Sequence, residues 1–458
     1  MTATAVTAPE DTDVTVHGKE RIPAFVWVML AYLATNMFSG VWGELGIPAP
    51  LDRGLLLLAL VLVILDPFRE RLRWRSVYWW MIATVLWTMW SALTADTLTT
   101  PEGLYGLLDR IVVPFVMFPV GALVFATPRR RDLVLKLLVL IGLYLGTNAV
   151  FTILGPHSLV YPRYIMTFVE TNPLVAGDNR AVGPFLTAEA NGFTLNLCVY
   201  AAGLAVYRFR GWWRRLAVLA IPICLAGVML TLTRSAWLAC ILGLVSVCLF
   251  VPRLRRWLIP SAITAAVLLG AAILAIPALN ALVTSRATTS RSLYDRANTY
   301  EAGWRALEQH PFWGTGWSTF IDHGVEWVRQ SPDYPVTTVT IEIHNVFMSR
   351  AVETGFIGGA LWIVCCAAGP FARLLRGPDR RTPELFGWWL FSLMSFFAWI
   401  VPSMTSPNPF PLPNILTWLI GGIVAREVLV RPREALALDD ADEGHPDEPH
   451  LERSPSWA

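Results

Sequence analysis

Twelve stretches of this chain are apolar over the length a helix needs to cross hydrocarbon, and every second one is followed by a cluster of arginines. A helix advances ~1.5 Å per residue, so about 20 apolar residues span a bilayer core. The runs lie near 24–42, 49–67, 77–95, 109–127, 133–155, 187–208, 213–232, 235–252, 257–283, 345–370, 384–402 and 411–430. Arg69, Arg71, Arg73 and Arg75 follow the second run, Arg129, Arg130 and Arg131 the fourth, and Arg208, Arg210, Arg214 and Arg215 the sixth. Arg253, Arg255 and Arg256 follow the eighth, and Arg373, Arg376, Arg380 and Arg381 the tenth. Short cytoplasmic loops collect Arg and Lys. The basic turns are therefore predicted to be cytoplasmic, and the cation-poor connections at 43–48, 96–108, 156–186 and 403–410 external.

The expected fold is all-α: a polytopic protein of the cell (inner) membrane with about 12 transmembrane helices and both termini in the cytoplasm. Hydrophobic residues make up 55% of the chain and charged ones 15%, which at this length exposes too much apolar surface for a soluble protein. The lipid bilayer is its first partner. Nucleic acid is excluded, because the arginines are scattered between apolar runs and form no basic face. All six cysteines fall inside apolar runs, where they act as small hydrophobes, so neither a disulfide nor a metal site is expected. Residues 1–22 read as a disordered cytoplasmic tail, 23–432 as the transmembrane domain and 433–458 as a disordered acidic tail.

Two external connections are long, about 156–186 and 284–344. Long loops in compact proteins are usually functional or disordered. The second, between helices 9 and 10, contains YDRANTYEAGWRALEQ at helical apolar spacing, which predicts a partly helical loop with an amphipathic helix on the outer leaflet. No internal repeat of the inverted-transporter kind is evident in the sequence.

The same topology places Arg180, Arg234, Arg286, Arg291 and Arg296 on the external side, the side that should be poor in arginine. Each alone could snorkel to headgroups or pair with a local acid, as Arg180 could with Asp178 and Arg291 with Asp295. Together they suit a lipid pyrophosphate, because guanidinium matches phosphate oxygens bidentately and stays charged. Arg234 stands in the tight turn TLTRSAWL with no acid nearby in sequence. His344 and Asn345 open the tenth helix; an imidazole there can act as a general base or simply finish the helix end. His157, His310 and His323 share that side and are equal candidates on charge alone.

The segment from Arg291 through HPFWGTGWSTF to HNVFMSRAVETGFIGG resembles the O-antigen ligase and Wzy-type polymerase family. The resemblance rests on Arg296 and Trp304, Pro311, Gly314 and Gly316, then His344, Asn345, Glu353, Gly355 and Gly358. TLTRSAWL resembles the family's Ser/Thr-Arg-Ser/Thr element, and Arg180, Gly183 and Asn191 its Arg-x-x-Gly segment followed by Asn. The resemblance implies a GT-C-like, metal-independent inverting glycosyltransferase that needs no cofactor. Its partners would be a polyprenyl pyrophosphate-linked glycan and an acceptor glycan or glycolipid. It implies that Arg180, Arg234 and one or both of Arg291 and Arg296 hold the pyrophosphate, that Asn345 contributes to substrate binding, and that His344 activates the acceptor hydroxyl on the outer face. Polymerases of the group often carry Arg-x15-Gly motifs; here the corresponding positions are Asn196, Leu307 and Phe312, which leans toward ligase-type transfer. A Wzy-like polymerase and a lipid-linked glycan or small-solute transporter are the alternatives. Arg350 and Glu353, three apart on one face of the tenth helix, read as a structural pair.

Overall fold

The structure, a computed structural model, describes residues 21–67, 70–172, 180–256, 258–275, 280, 284, 291–329 and 342–431. Most of both expected tails, residues 276–279 and 281–283 of the ninth run, and much of the second long loop lie outside these residues.

Each of the twelve apolar runs holds a helix. In chain order the longer helices are α1 (Ala24–Thr35), α2 (Leu51–Leu65), α3 (Ser76–Thr94), α4 (Pro101–Val124) and α5 (Pro128–Leu154). Then follow α6 (Tyr164–Thr171), α7 (Ala188–Arg208), α8 (Gly211–Leu230), α9 (Arg234–Phe250) and α10 (Leu258–Ala275). The last five are α11 (Arg291–Gln309), α12 (Phe320–Trp327), α13 (Val346–Ala368), α14 (Pro383–Ser403) and α15 (Pro411–Leu429). Among the described residues six of these, α4, α5, α8, α13, α14 and α15, are long and apolar enough to cross a bilayer. The chain is a multi-pass membrane protein.

Polar residues and glycines bind the helices to one another, as expected where lipid removes the hydrophobic drive between them. The middle helix α7 packs on α5, α8 and α14. Its Asn196 donates to the Ala236 carbonyl (2.9 Å) and its Tyr200 hydroxyl to that of Ala239 (3.0 Å), both on α9. Helices α4 and α15 approach so closely that a Cβ on Gly422 would lie 1.9 Å from the Phe118 carbonyl oxygen.

Arginines of the basic turns cross-link helix ends at one end of the bundle. Arg131 and Arg208 both reach Glu384, at 2.7 and 3.4 Å, and Arg208 also pairs with Asp132 at 2.6 Å. Arg426 pairs with Glu70 and donates to the Ala122 carbonyl. Two-residue strands, Arg71–Leu72 and Val430–Arg431, pair antiparallel beside them.

The first long connection folds as well as the second. Helix α6 packs Tyr164, Ile165, Met166 and Val169 with Val160, Val182 and Ala188 into a small core of its own. In the second, α11 lies on α13 through Ala302, Ala306 and Leu307 against Met348 and Val352, and turns Tyr300 and Trp304 outward.

Candidate functional site

The turn between α8 and α9 is short because Leu232 takes a left-handed conformation, φ 50°, costly for a branched side chain and here fully enclosed. The end of α8 leaves carbonyls that need donors. Ala181 N donates to Leu230 O at 3.1 Å, and Arg180 Nε to Thr231 O at 3.0 Å. A second Arg180 nitrogen reaches Thr233 Oγ1 (2.7 Å) and Glu189 Oε1 (2.9 Å). Arg180 thus caps a helix C-terminus, where a cation is also favoured by the helix dipole. The next residue after Thr233 is Arg234, the exposed first residue of α9. Asn191 locks the same segment by donating to Ala181 O at 2.9 Å, and Gly183, φ 59°, lies against the Asn191 amide where a Cβ would meet it at 2.9 Å. The Arg-x-x-Gly and Asn positions thus build the socket of the turn.

His344 is half-buried just ahead of α13, its Nδ1 2.9 Å from the main-chain oxygen of Glu342. Burial, and next the Arg296 charge, hold its pKa below the ordinary 6.5, against the raising influence of Glu189 and Glu342. Arg296 also acts electrostatically on Glu189, the carboxylate that Arg180 holds. Glu189, paired with Arg180, thus also interacts with Arg296 and His344 from two other stretches of chain. Asn345 is the N-cap of α13, its Oδ1 accepting from Met348 N at 3.1 Å. Arg291 opens α11 with only its backbone among the described features, and it stands five positions before Arg296, about 140° around a helix. Arg286, Asp178 and the side chains of Asp295 and His323 lie outside the described residues. His157 is exposed in a separate turn, and His310, also exposed, meets Trp327 edge to face.

The Gly-x-Gly stretch fills a break in α13. At Gly355 the helix backbone turns to φ 72°, ψ 175°, a region open only to glycine. The carbonyls freed there find new donors: Thr315 N on Val352 O (2.8 Å), Gly316 N and Ser91 Oγ on Glu353 O (3.1 and 3.0 Å), and Trp87 Nε1 on Thr354 O (2.8 Å). Phe356 N in turn donates to Pro311 O at 2.8 Å. Within the broken helix Arg350 is buried, 4.8 Å from the centre of the Trp317 ring and 3.4 Å from Glu353. The structural reading of that pair fits the contact.

Two groups escaped the sequence reading. Arg110 sits in a π-helical turn of α4, Leu108–Val112, and its guanidinium is 2.7 Å from the Glu342 carboxylate. The signal was present: Asp109 and Arg110 are charges at the start of an apolar run, and Glu342 is two residues from His344. Glu189, paired with Arg180, was also passed over. Among the described residues no group of three or more His, Cys, Asp or Glu is placed to hold a metal ion.

No curated protein matches the chain. Residues 217–363, which include Arg234, Arg291, Arg296, Gly314, Gly316, His344 and Gly355, match the family model described as O-Antigen ligase. Over residues 217–363, within a helical membrane protein, the chain is thus similar to the O-antigen ligase and Wzy-type family.

Proposed function

We propose that this protein is a metal-independent glycosyltransferase of the cell (inner) membrane. It moves a glycan from a polyprenyl pyrophosphate carrier to a hydroxyl of an acceptor glycan or glycolipid on the outer face. The observation that carries the reading is the electrostatic link from Arg180 through Glu189 to Arg296 and His344. It joins Arg296, a cation suited to a pyrophosphate, and Arg180, which seats the turn carrying Arg234, with a neutral imidazole suited to an acceptor hydroxyl.

In the reaction the acceptor oxygen attacks the anomeric carbon and the bond from that carbon to the pyrophosphate oxygen breaks. The hydroxyl proton passes to His344, and the departing pyrophosphate keeps the electron pair. Fixed guanidinium groups stabilise that charge as it develops, and attack opposite the leaving group inverts the anomeric carbon. Arg234 and Arg296 are assigned the pyrophosphate, with Arg291 as the lesser candidate. Arg180 holds the turn from which Arg234 projects, and Asn345 sets the start of α13 behind His344.

The broken helix α13 with Arg350 and Glu353 is a device transporters also use. Here the break is closed by the turn that follows Pro311, which favours the transferase. The test is transfer by the purified protein in proteoliposomes from a carrier-linked glycan to an acceptor. A single addition supports ligase-type transfer, a ladder of products supports the polymerase, and movement of the glycan across the bilayer without a new glycosidic bond sinks the transferase.

A further inference from the structure

The carboxylate of Glu342 is held by Arg110 Nη2 at 2.7 Å, and the main-chain oxygen of the same residue lies 2.9 Å from His344 Nδ1. A carbonyl oxygen can only accept a hydrogen bond, so in the neutral ring Nδ1 carries the proton and the free lone pair is on Nε2. An unrestrained neutral histidine in water favours the opposite form, with the proton on Nε2. Something must therefore hold the Glu342 carbonyl in place.

We propose that Arg110 is a positioning residue for His344: by clamping the Glu342 side chain it keeps the Glu342 carbonyl on Nδ1 and so leaves Nε2 free to take the acceptor proton. The inference rests on the reading of His344 as the base. Its setting suits the task. Arg110 occupies the π-helical turn Leu108–Val112, a helix irregularity frequent at functional sites, on a helix that also meets the second long connection where Trp317 Nε1 donates to Gly103 O at 2.9 Å. Glu342 is clamped on one side of the histidine and Asn345 caps α13 on the other. The imidazole is thus framed by two fixed points of backbone. Both partners of the clamp are largely enclosed, with side-chain exposures of 19% and 21%, where an ion pair is screened less than at the surface.

The experiment is nitrogen-15 NMR of the full chain, histidine-labelled, in lipid nanodiscs at a pH where the ring is neutral. The His344 signals are assigned by their loss in His344→Ala. The wild type is expected to show a protonated Nδ1 and a bare Nε2. Arg110→Gln and Glu342→Ala should each move His344 toward the Nε2-protonated form. Each should also lower kcat, by between about 10-fold, as for outer partners of oriented histidines, and about 10⁴-fold, as for a histidine in the wrong tautomer, with the donor KM unchanged. Should Arg110→Gln fail to insert, Glu342→Ala breaks the same contact from the loop side and decides alone. A wild-type tautomer in the variants overturns the proposal, even where transfer is lost. Because the spectrum reads the ring directly, it decides the matter whether or not the protein transfers glycan, and a failure of the transferase reading is seen separately in the assay.

Discussion

A Cβ built on Gly355 would lie 2.0 Å from the carbonyl oxygen of Phe312, so the Gly-x-Gly turn and the break in α13 are one packed unit. Gly355→Ala meets both that oxygen and a backbone conformation that costs about 1–3 kcal/mol for a residue with a side chain. The expected result is a marked fall in Tm in detergent and in the yield of inserted protein. Gly203→Ala is the control: nothing lies within 4 Å of its Cβ, and the added helix propensity should leave Tm unchanged or slightly raised. Equal melting of the two variants would contradict the packed break.

The helices were legible in the sequence because a bilayer demands about 20 apolar residues, and such runs are hard to hide. What was not legible was how irregular backbone is satisfied. Pro311, Gly314 and Gly316 read as a motif, yet nothing in their spacing says that Thr315 and Gly316 serve carbonyls of α13. Helix α6 escaped because its apolar face covers only eight residues, too short a window for periodicity. In the candidate site, charge and topology pointed to Arg180, Arg234, Arg286, Arg291 and Arg296, and the family resemblance singled out His344. Arg180 then proved to be engaged by Thr231 and Thr233, 51 and 53 positions away with no local pattern, and by Glu189, 9 positions on. Arg110 was missed for the same reason, since its partner Glu342 belongs to a distant loop.

Arg234→Lys is expected to insert and fold normally yet transfer little or no glycan. An ammonium keeps the charge but cannot make the planar, bidentate contact with phosphate oxygens. The measurement is transfer in proteoliposomes alongside a melting curve, and a wild-type rate for the Lys variant would reduce Arg234 to a boundary anchor.

Arg180→Ala should differ from Arg234→Ala by losing stability as well as activity. It removes hydrogen bonds of a charged donor to Thr231, Thr233 and Glu189, each worth about 1.5–3 kcal/mol. It also strands the Glu189 carboxylate. A lowered Tm for Arg180→Ala beside an unchanged one for Arg234→Ala is the expected contrast; unchanged melting in both would remove Arg180 from the turn's support.

The pH dependence has a definite sign. A base works unprotonated, and His344 has a pKa below 6.5 through burial and then Arg296. The transfer rate should therefore be flat from neutral pH down past 6.5 and fall only as pH drops through the lowered value. Of the charges acting on the ring, Arg296 lowers its pKa while Glu189 and Glu342 raise it. Arg296→Gln should move the acid limb upward, toward 6.5, besides lowering the rate. Arg291→Gln, about 140° away on an ideal helix, should leave the limb where it is. An acid limb that stays put in Arg296→Gln would break the link between the two residues.

His344→Ala should abolish or greatly slow transfer while donor binding survives, because the ring is assigned to the acceptor hydroxyl and the carrier phosphates are assigned to the arginines. General-base assistance is worth typically about 10²–10⁴-fold in rate, and the loss should fall in that range or beyond it. His310→Ala serves as the control: His310 is exposed at the end of α11 and its ring contact is an edge-to-face one with Trp327. The assay is reconstituted transfer with purified carrier-linked glycan, run beside a binding measurement for the same donor. Loss of donor binding in His344→Ala would move the histidine to the pyrophosphate, where a neutral ring with its Nδ1 proton committed to Glu342 O has only an acceptor to offer. Unchanged turnover, or equal damage from His310→Ala, would leave His344 as no more than the residue before a helix cap.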